Sequence, residues 1–188
     1  MAIKAYKDEI RLLRAENDML RLEKEELIEY YSKDSCTGFF TKRHLKPAIE
    51  SLISQGEIFS FAVIDLDDFK RVNDDHGHEI GDIVLHDTAC IIRNTVRDSD
   101  KVIRYGGDEI MIILPEVDIH KAKPILERIR WRIEDSNLYG VTCSIGLVDF
   151  RKGDVADGII QRADALMYAS KGNGKNQITV DREDNYAQ

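Results

Sequence analysis

Apolar and polar positions follow two different rhythms along this chain, and the change between them marks its organisation. The first 33 residues hold neither proline nor glycine, and their apolar side chains recur at heptad spacing. With Ile3, Ile10, Asn17, Lys24 and Tyr31 at a, the d positions are Tyr6, Leu13, Leu20 and Leu27, the period that supercoiled helices bury between them. Charge agrees with this register. Glu9, Glu16 and Glu23 fall at g and Lys7, Arg14 and Arg21 at e, so Glu9 meets Arg14 and Glu16 meets Arg21 of a parallel partner. Polar Asn17 and Lys24 at a favour two strands and fix the register at some cost in stability. A single amphipathic helix packed on its own domain is the alternative. The charge pattern favours a parallel, homodimerising coiled-coil stalk over residues 1–33.

After a stop at 32–38 the rhythm becomes mixed. Helical periodicity predicts helices over 42–54, 79–95, 119–135 and 154–171, with a short helix or turn at 69–75. Runs of apolar, β-favouring residues predict strands at 59–66, 141–150 and 177–180. The stretch "RYGGDEI", Arg104 to Ile110, sits between strand-like runs at 101–105 and 110–114. Its Gly-Gly pair reads as a hairpin turn, because glycine reaches positive φ without steric cost. Alternating strands and helices with one hairpin give an α/β (α+β) fold. Its mixed central sheet carries helices on both faces and is preceded by a long N-terminal helix.

Composition narrows the function. A chain of 188 residues that is 43% hydrophobic and 33% charged holds one well-cored domain, 34–188, plus the stalk. A net charge of −8 argues against a broad surface for nucleic-acid polymers or anionic membranes, and leaves room for a local basic pocket that takes phosphates. Cys36, Cys90 and Cys143 are odd in number and widely spaced, which suits a reducing cytoplasm better than a disulfide framework or a zinc site. No apolar run is long enough for a membrane span and no signal peptide is evident.

The acids carry the candidate chemistry. In "VIDLDDFKRVNDDHGHEIGD", Val63 to Asp82, Asp65 falls where the buried strand ends, and strand ends are where side chains leave the core while their backbone stays held. If the hairpin lies beside that strand, Asp65 and Asp108 converge on a divalent cation, which prefers hard oxygen ligands and shares them with phosphates. Asp67 and Asp68 read as helix N-caps. His76 and His78 lack a third ligand and read as structural, Ser144 has no nucleophile context, and Cys143 reads as core.

Together these motifs resemble the GGDEF-family diguanylate cyclases, from about Asp34 to Val180. The matching stretches are "DSCTG", "DLDDFKRVND", "GHEIGD", "RYGGDEI", "SIG" and "ADALMYASKGNGKN". The resemblance implies a fold akin to nucleotide cyclases and polymerase palms. It implies condensation of two GTP into cyclic di-GMP and two pyrophosphates by a homodimer. It also implies that Asp65, the Leu66 carbonyl and Asp108 bind Mg²⁺ or Mn²⁺, and that Glu109 is the acid nearest the attacking ribose 3′-hydroxyl. Asn73 and Asp82 would bind guanine, whose N1–H and 2-amino group suit a carboxylate. Read alone, Asn73 could equally end a short helix and Asp82 sit in a helix's first turn. Gly106 and Gly107 would let the nucleotide lie against the turn, and Phe69, Lys70, Lys171 and Lys175 would line the substrate site, together with N–H groups after Asp67. Arg97 and Asp100 match the family's inhibitory product site for cyclic di-GMP, although a helix-ending ion pair would look the same in sequence.

The chain departs from the family pattern at Ile110, where phenylalanine is usual, and at Lys175, where arginine is common. Cys36, Phe39, Thr41 and Lys42 also replace the usual residues of their segment. Two other functions compete with the enzyme: a catalytically silent cyclic di-GMP receptor signalling through the coiled coil, and a dimerisation module with a vestigial site. The acids at Asp65, Asp108 and Glu109 argue against the receptor, and the intact guanine-binding pair Asn73 and Asp82 against the vestigial module.

Overall fold

The computed structural model describes Leu13, Arg14, Glu16, Asn17, Met19, Leu20 and residues 33–181. The chain divides into two units, Met1–Lys33 and Asp34–Gln188. In the first, the six described residues are helical, and Leu13 and Leu20 are 57% and 59% exposed. Both d-position leucines are thus available to a partner. The remaining heptad assignments (Ile3, Tyr6, Ile10, Lys24, Leu27 and Tyr31, with Lys7, Glu9, Arg21 and Glu23) lie outside the described residues.

The second unit runs β1 (Phe40–Thr41), a 3-10 turn (Lys42–His44), α1 (Leu45–Gln55), β2 (Phe59–Asp67), α2 (Phe69–His76) and α3 (His78–Arg93). It continues with β3 (Lys101–Arg104), β4 (Glu109–Pro115), α4 (Ile119–Ser136), β5 (Thr142–Asp149), α5 (Ala156–Gly172) and β6 (Ile178–Val180). The six strands form one mixed sheet in the order β1-β3-β4-β2-β5-β6. The outer pairs β1/β3 and β5/β6 are parallel, and the inner ones are antiparallel.

Central β2 is buried along its whole length, which explains its unbroken apolar run. Successive side chains of a strand point to opposite faces, and each face meets its own helix layer. Ala62, Ile64 and Leu66 join Val84, Leu85 and Ile92 of α3 and Leu126 and Ile129 of α4. Phe59, Phe61 and Val63 pack with Leu45 and Ile49 of α1 and Ile159, Ala163 and Met167 of α5. Asp65 and Asp67 continue this second face, so the α1/α5 side turns acidic just where β2 ends.

Gly146 of β5 fixes how closely α5 approaches. A Cβ there would stand 2.0 Å from the Ala163 carbonyl oxygen and 2.4 Å from the Met167 nitrogen, so only glycine lets this helix lie against the strand. Two-residue β1 escapes sequence reading because so short a strand has no period; its pairing with β3, Phe40 opposite Ile103, makes it. No described helix is long and apolar enough to cross a membrane.

Candidate active site

The hairpin forms as the sequence predicts, but its glycines act differently. Tyr105 N–H donates to the Glu109 carbonyl at 2.9 Å, closing a loop of residues 105–108. Neither Gly106 nor Gly107 has positive φ, so turn conformation is not why they are glycines. A Cβ on Gly106 would lie 2.8 Å from a Glu109 carboxylate oxygen, whereas the space beside Gly107 is open. One glycine thus makes room for the acid, and the other leaves a free approach to the backbone. Arg104 holds the loop from behind. Its guanidinium donates to the Gly106 carbonyl at 3.2 Å, to the Gly107 carbonyl at 2.8 Å, and to both Asp34 oxygens at 3.0 and 3.1 Å.

Antiparallel pairing of β2 with β4 puts Asp65 opposite Glu109, and Leu66 N–H donates to the Asp108 carbonyl at 3.3 Å. Asp65, Leu66, Asp108 and Glu109 therefore meet at adjoining strand ends. From α5, Lys171 reaches over to place its ammonium 2.7 Å from Asp65. Burial pushes the Asp65 carboxyl up to about 6, with further push from Asp108 and Glu109 and opposition from Lys171. Burial likewise raises Glu109, followed by the charges of Asp108 and Asp164. Lys171 is raised despite its burial, because Asp65 and its neighbours favour the ammonium.

This donor set suits a hard divalent cation: two carboxylates and a main-chain carbonyl, with Glu109 adding a third negative charge beside them. The described residues contain no group of three or more ligating side chains, so main-chain and substrate oxygens would have to complete the shell.

Asp67 and Asp68 do not cap α2, contrary to the sequence reading. Asp68 occupies the N-cap position in a left-handed conformation and makes no side-chain cap bond; its carboxylate pairs with Lys175 at 2.7 Å. Asp67, 3% exposed, accepts from the Thr142 and Ser144 hydroxyls, both at 2.7 Å, and from Asn176 N–H at 3.0 Å. It is a clamp joining β2, β5 and the loop after α5. The first turn of α2, with Phe69 buried and Lys70 exposed, keeps N–H groups that no side chain caps.

Asn73 on α2 faces α3 at Gly81, where a Cβ would come within 2.0 Å of the Asn73 amide oxygen. Asp82, the next residue, is exposed on α3. The two guanine-binding candidates are thus carried on neighbouring helices beside the acid cluster's exit from β2. His76 packs against Tyr139, with ring centroids 5.0 Å apart. Cys143 is fully buried, and burial pushes its thiol up.

Arg97 and Asp100 stand apart, on the turn before β3. The length of that strand, roughly 13 Å, separates them from the hairpin loop. Asp100 accepts from Arg97 N–H at 2.7 Å, so their link is side chain to backbone and not the ion pair the sequence allowed. The other Asp100 oxygen is buried and lacks a hydrogen-bond partner among the described residues, and burial raises this carboxyl. Arg128 and Arg132 of α4 donate to the Thr95 carbonyl and hydroxyl at 2.9 and 3.2 Å, which adds two cations near this turn. Sequence reading gave them no role, nor Arg104 and Asp34; the i, i+4 spacing of Arg128 and Arg132 was the one available signal.

A six-stranded mixed sheet with acids at adjoining strand ends and a glycine loop between them defines a palm-like domain. Residues 31–177 match the family model "Diguanylate cyclase, GGDEF domain", and the chain belongs to that family. It is 33% identical over 174 residues to the response regulator PleD of Caulobacter vibrioides, covering 86% of this chain and 38% of PleD. It is 37% identical over 153 residues to diguanylate cyclase A of Treponema denticola, covering 77% of this chain and 41% of that protein. The chain therefore spans about two fifths of the length of these curated relatives. Among solved structures, the coiled coil and GGDEF domain of DgcB from Caulobacter crescentus in complex with c-di-GMP aligns with a TM-score of 0.78 at 29% identity, covering 92% of this chain and 98% of that one. Diguanylate cyclase SiaD from Pseudomonas aeruginosa, in complex with its activator SiaC, aligns with a TM-score of 0.81 at 28% identity, covering 95% and 73%.

Proposed function

We propose that this chain condenses two GTP into cyclic di-GMP with release of two pyrophosphates, as a cytoplasmic homodimer in which each subunit presents one nucleotide. The convergence of Asp65, Asp108 and Glu109 beside an open glycine loop carries this reading. Asp82 would accept from guanine N1–H and its 2-amino group, with Asn73 beside it. The uncapped start of α2, Lys70 and Lys175 would hold phosphates, and Phe69 would form the floor under the nucleotide. Asp65, Asp108 and the Leu66 carbonyl would hold Mg²⁺ or Mn²⁺, which when bound neutralises phosphate charge and lowers the pKa of the ribose hydroxyl. Lys171, already on Asp65, faces incoming phosphate oxygens with its remaining donors.

Glu109 would take the proton of the 3′-hydroxyl, a task helped by its raised pKa. The 3′ oxygen then bonds to the α-phosphorus of the partner's GTP, and the bond to the β-phosphate breaks, its electron pair leaving with pyrophosphate. A second transfer closes the ring. Most of the rate would come from positioning and charge stabilisation. Product would bind at Arg97 and Asp100 and inhibit.

The direct test is incubation of the purified chain with GTP and Mg²⁺, with products identified by mass spectrometry. Cyclic di-GMP is expected. Tight cyclic di-GMP binding without turnover would select the silent receptor instead.

A further inference from the structure

A cavity on the sheet face shared by α1 and α5 lies outside the residues assigned so far. It encloses about 380 Å³ between Lys42, Arg43 and Lys46 at the approach to α1, Tyr105 after β3, and Asp157 and Ile160 on α5. That is the scale of small-molecule sites, roughly 300–1,000 Å³. Its charge is lopsided. Lys46 is paired with Asp157 at 2.6 Å, whereas Lys42 and Arg43 have no ion-pair partner among the described residues. Both side chains are exposed and, in a chain of net charge −8, they gather unpaired positive charge at the mouth of this cavity.

The cavity also borders the acid site. β1 runs parallel to β3 with Thr41 opposite Arg104, so Lys42 and Tyr105 leave the sheet as neighbours. Tyr105 is the first residue of the glycine loop, bonded through its N–H to Glu109, and its ring is 41% exposed. Along α5, Ile160 lies one turn, about 6 Å, before Asp164, the acid whose charge acts on Glu109. An anion held here would stand at the edge of the loop where phosphoryl transfer is assigned.

We propose that this cavity binds a pyrophosphoryl group, its oxygens held by the Arg43 guanidinium and the Lys42 ammonium, with the Tyr105 hydroxyl as a further donor. A forked cation beside a point charge suits a multi-oxygen anion better than a single carboxylate. Two sources share this chemistry: the triphosphate borne by a second copy of the chain, and free pyrophosphate after release. The choice between them rests on the cyclase reading, whereas the anion site itself does not.

The test is calorimetric titration of inorganic pyrophosphate into the full chain without divalent ions. It uses a Lys70→Ala/Lys171→Ala/Lys175→Ala background that silences the cations assigned to the chain's own triphosphate. Adding Lys42→Gln/Arg43→Gln should raise Kd at least about tenfold, the scale of a lost charge-assisted contact, with an unchanged thermal melt. If the pair impairs folding, each single substitution should still weaken binding. Superimposable isotherms overturn the proposal. In an otherwise native chain, a fall in kcat with unchanged GTP KM identifies the partner's triphosphate as the source. Unchanged kcat with weaker inhibition by added pyrophosphate identifies the free product. A chain that makes no cyclic di-GMP yet loses pyrophosphate binding with Lys42 and Arg43 refutes the cyclase reading and leaves the cavity assignment standing.

Discussion

Arg104 makes five hydrogen bonds from its three guanidinium nitrogens to the carbonyls of the glycine loop and the carboxylate of Asp34. Lysine at this position would keep the charge and lose the fork. We expect Arg104→Lys to lower unfolding free energy by about 2 kcal/mol in urea melts, and to raise GTP KM more than it lowers kcat, because the loop would lose its fixed backing while Glu109 stays. A KM equal to that of the parent would show that the loop needs no such support. Glu109→Gln separates chemistry from binding. It keeps the shape and removes the proton acceptor, so synthesis should drop by at least about 100-fold while GTP and metal affinity, measured by calorimetry, change little. Near-normal turnover would remove Glu109 from its assigned role.

At the scale of elements, the site depends on how closely α5 lies on β5. Lys171 meets Asp65 because Gly146 brings the helix backbone within reach of the strand. Gly146→Ala must push Ala163 and Met167 away, at a cost of about 1–3 kcal/mol for overpacking, and should move the lysine off Asp65. A lowered melting temperature together with reduced GTP affinity would show both effects. An unchanged melt would mean that the helix yields without strain. Asp67 works on the same elements from the other side. Its three hydrogen bonds hold the end of β2 to β5 and to the loop carrying Lys175 and Asn176, which is why a residue resembling an N-cap in sequence has no exposed helix end to serve.

For the whole molecule, the proposed dimerising stalk can be tested independently of the site. Replacing Leu13, Leu20 and Leu27 together by polar residues should remove most of the d-position burial, about 1.5–3 kcal/mol for each leucine buried at a dimer seam. On the proposed mechanism two nucleotide-loaded domains must meet, so specific activity should fall at low protein concentration and recover as concentration rises. Light scattering across the same dilution series gives the mass. A variant that stays dimeric at low micromolar concentration with unchanged activity would overturn the proposal that the heptads of residues 3–31 hold a dimer.

The sequence by itself determined what repeats or alternates: the helices, the buried run of β2, the hairpin at Gly106–Gly107, and the placing of Asp65 where that run ends. These were legible because 3.6- and 2-residue periods are local, and because the ordered motifs carry their own spacing. Tertiary structure decided what each acid of "DLDD" touches. Sequence reading set Asp65 apart but made caps of Asp67 and Asp68; pairing sets the first opposite Glu109, packing against β5 makes the second a clamp, and a left-handed backbone hands the third to Lys175. The same holds for Arg104, whose partner Asp34 lies 70 residues away, and for two-residue β1. Contacts across that distance leave no periodic trace in the chain, since their geometry exists only once the sheet has formed.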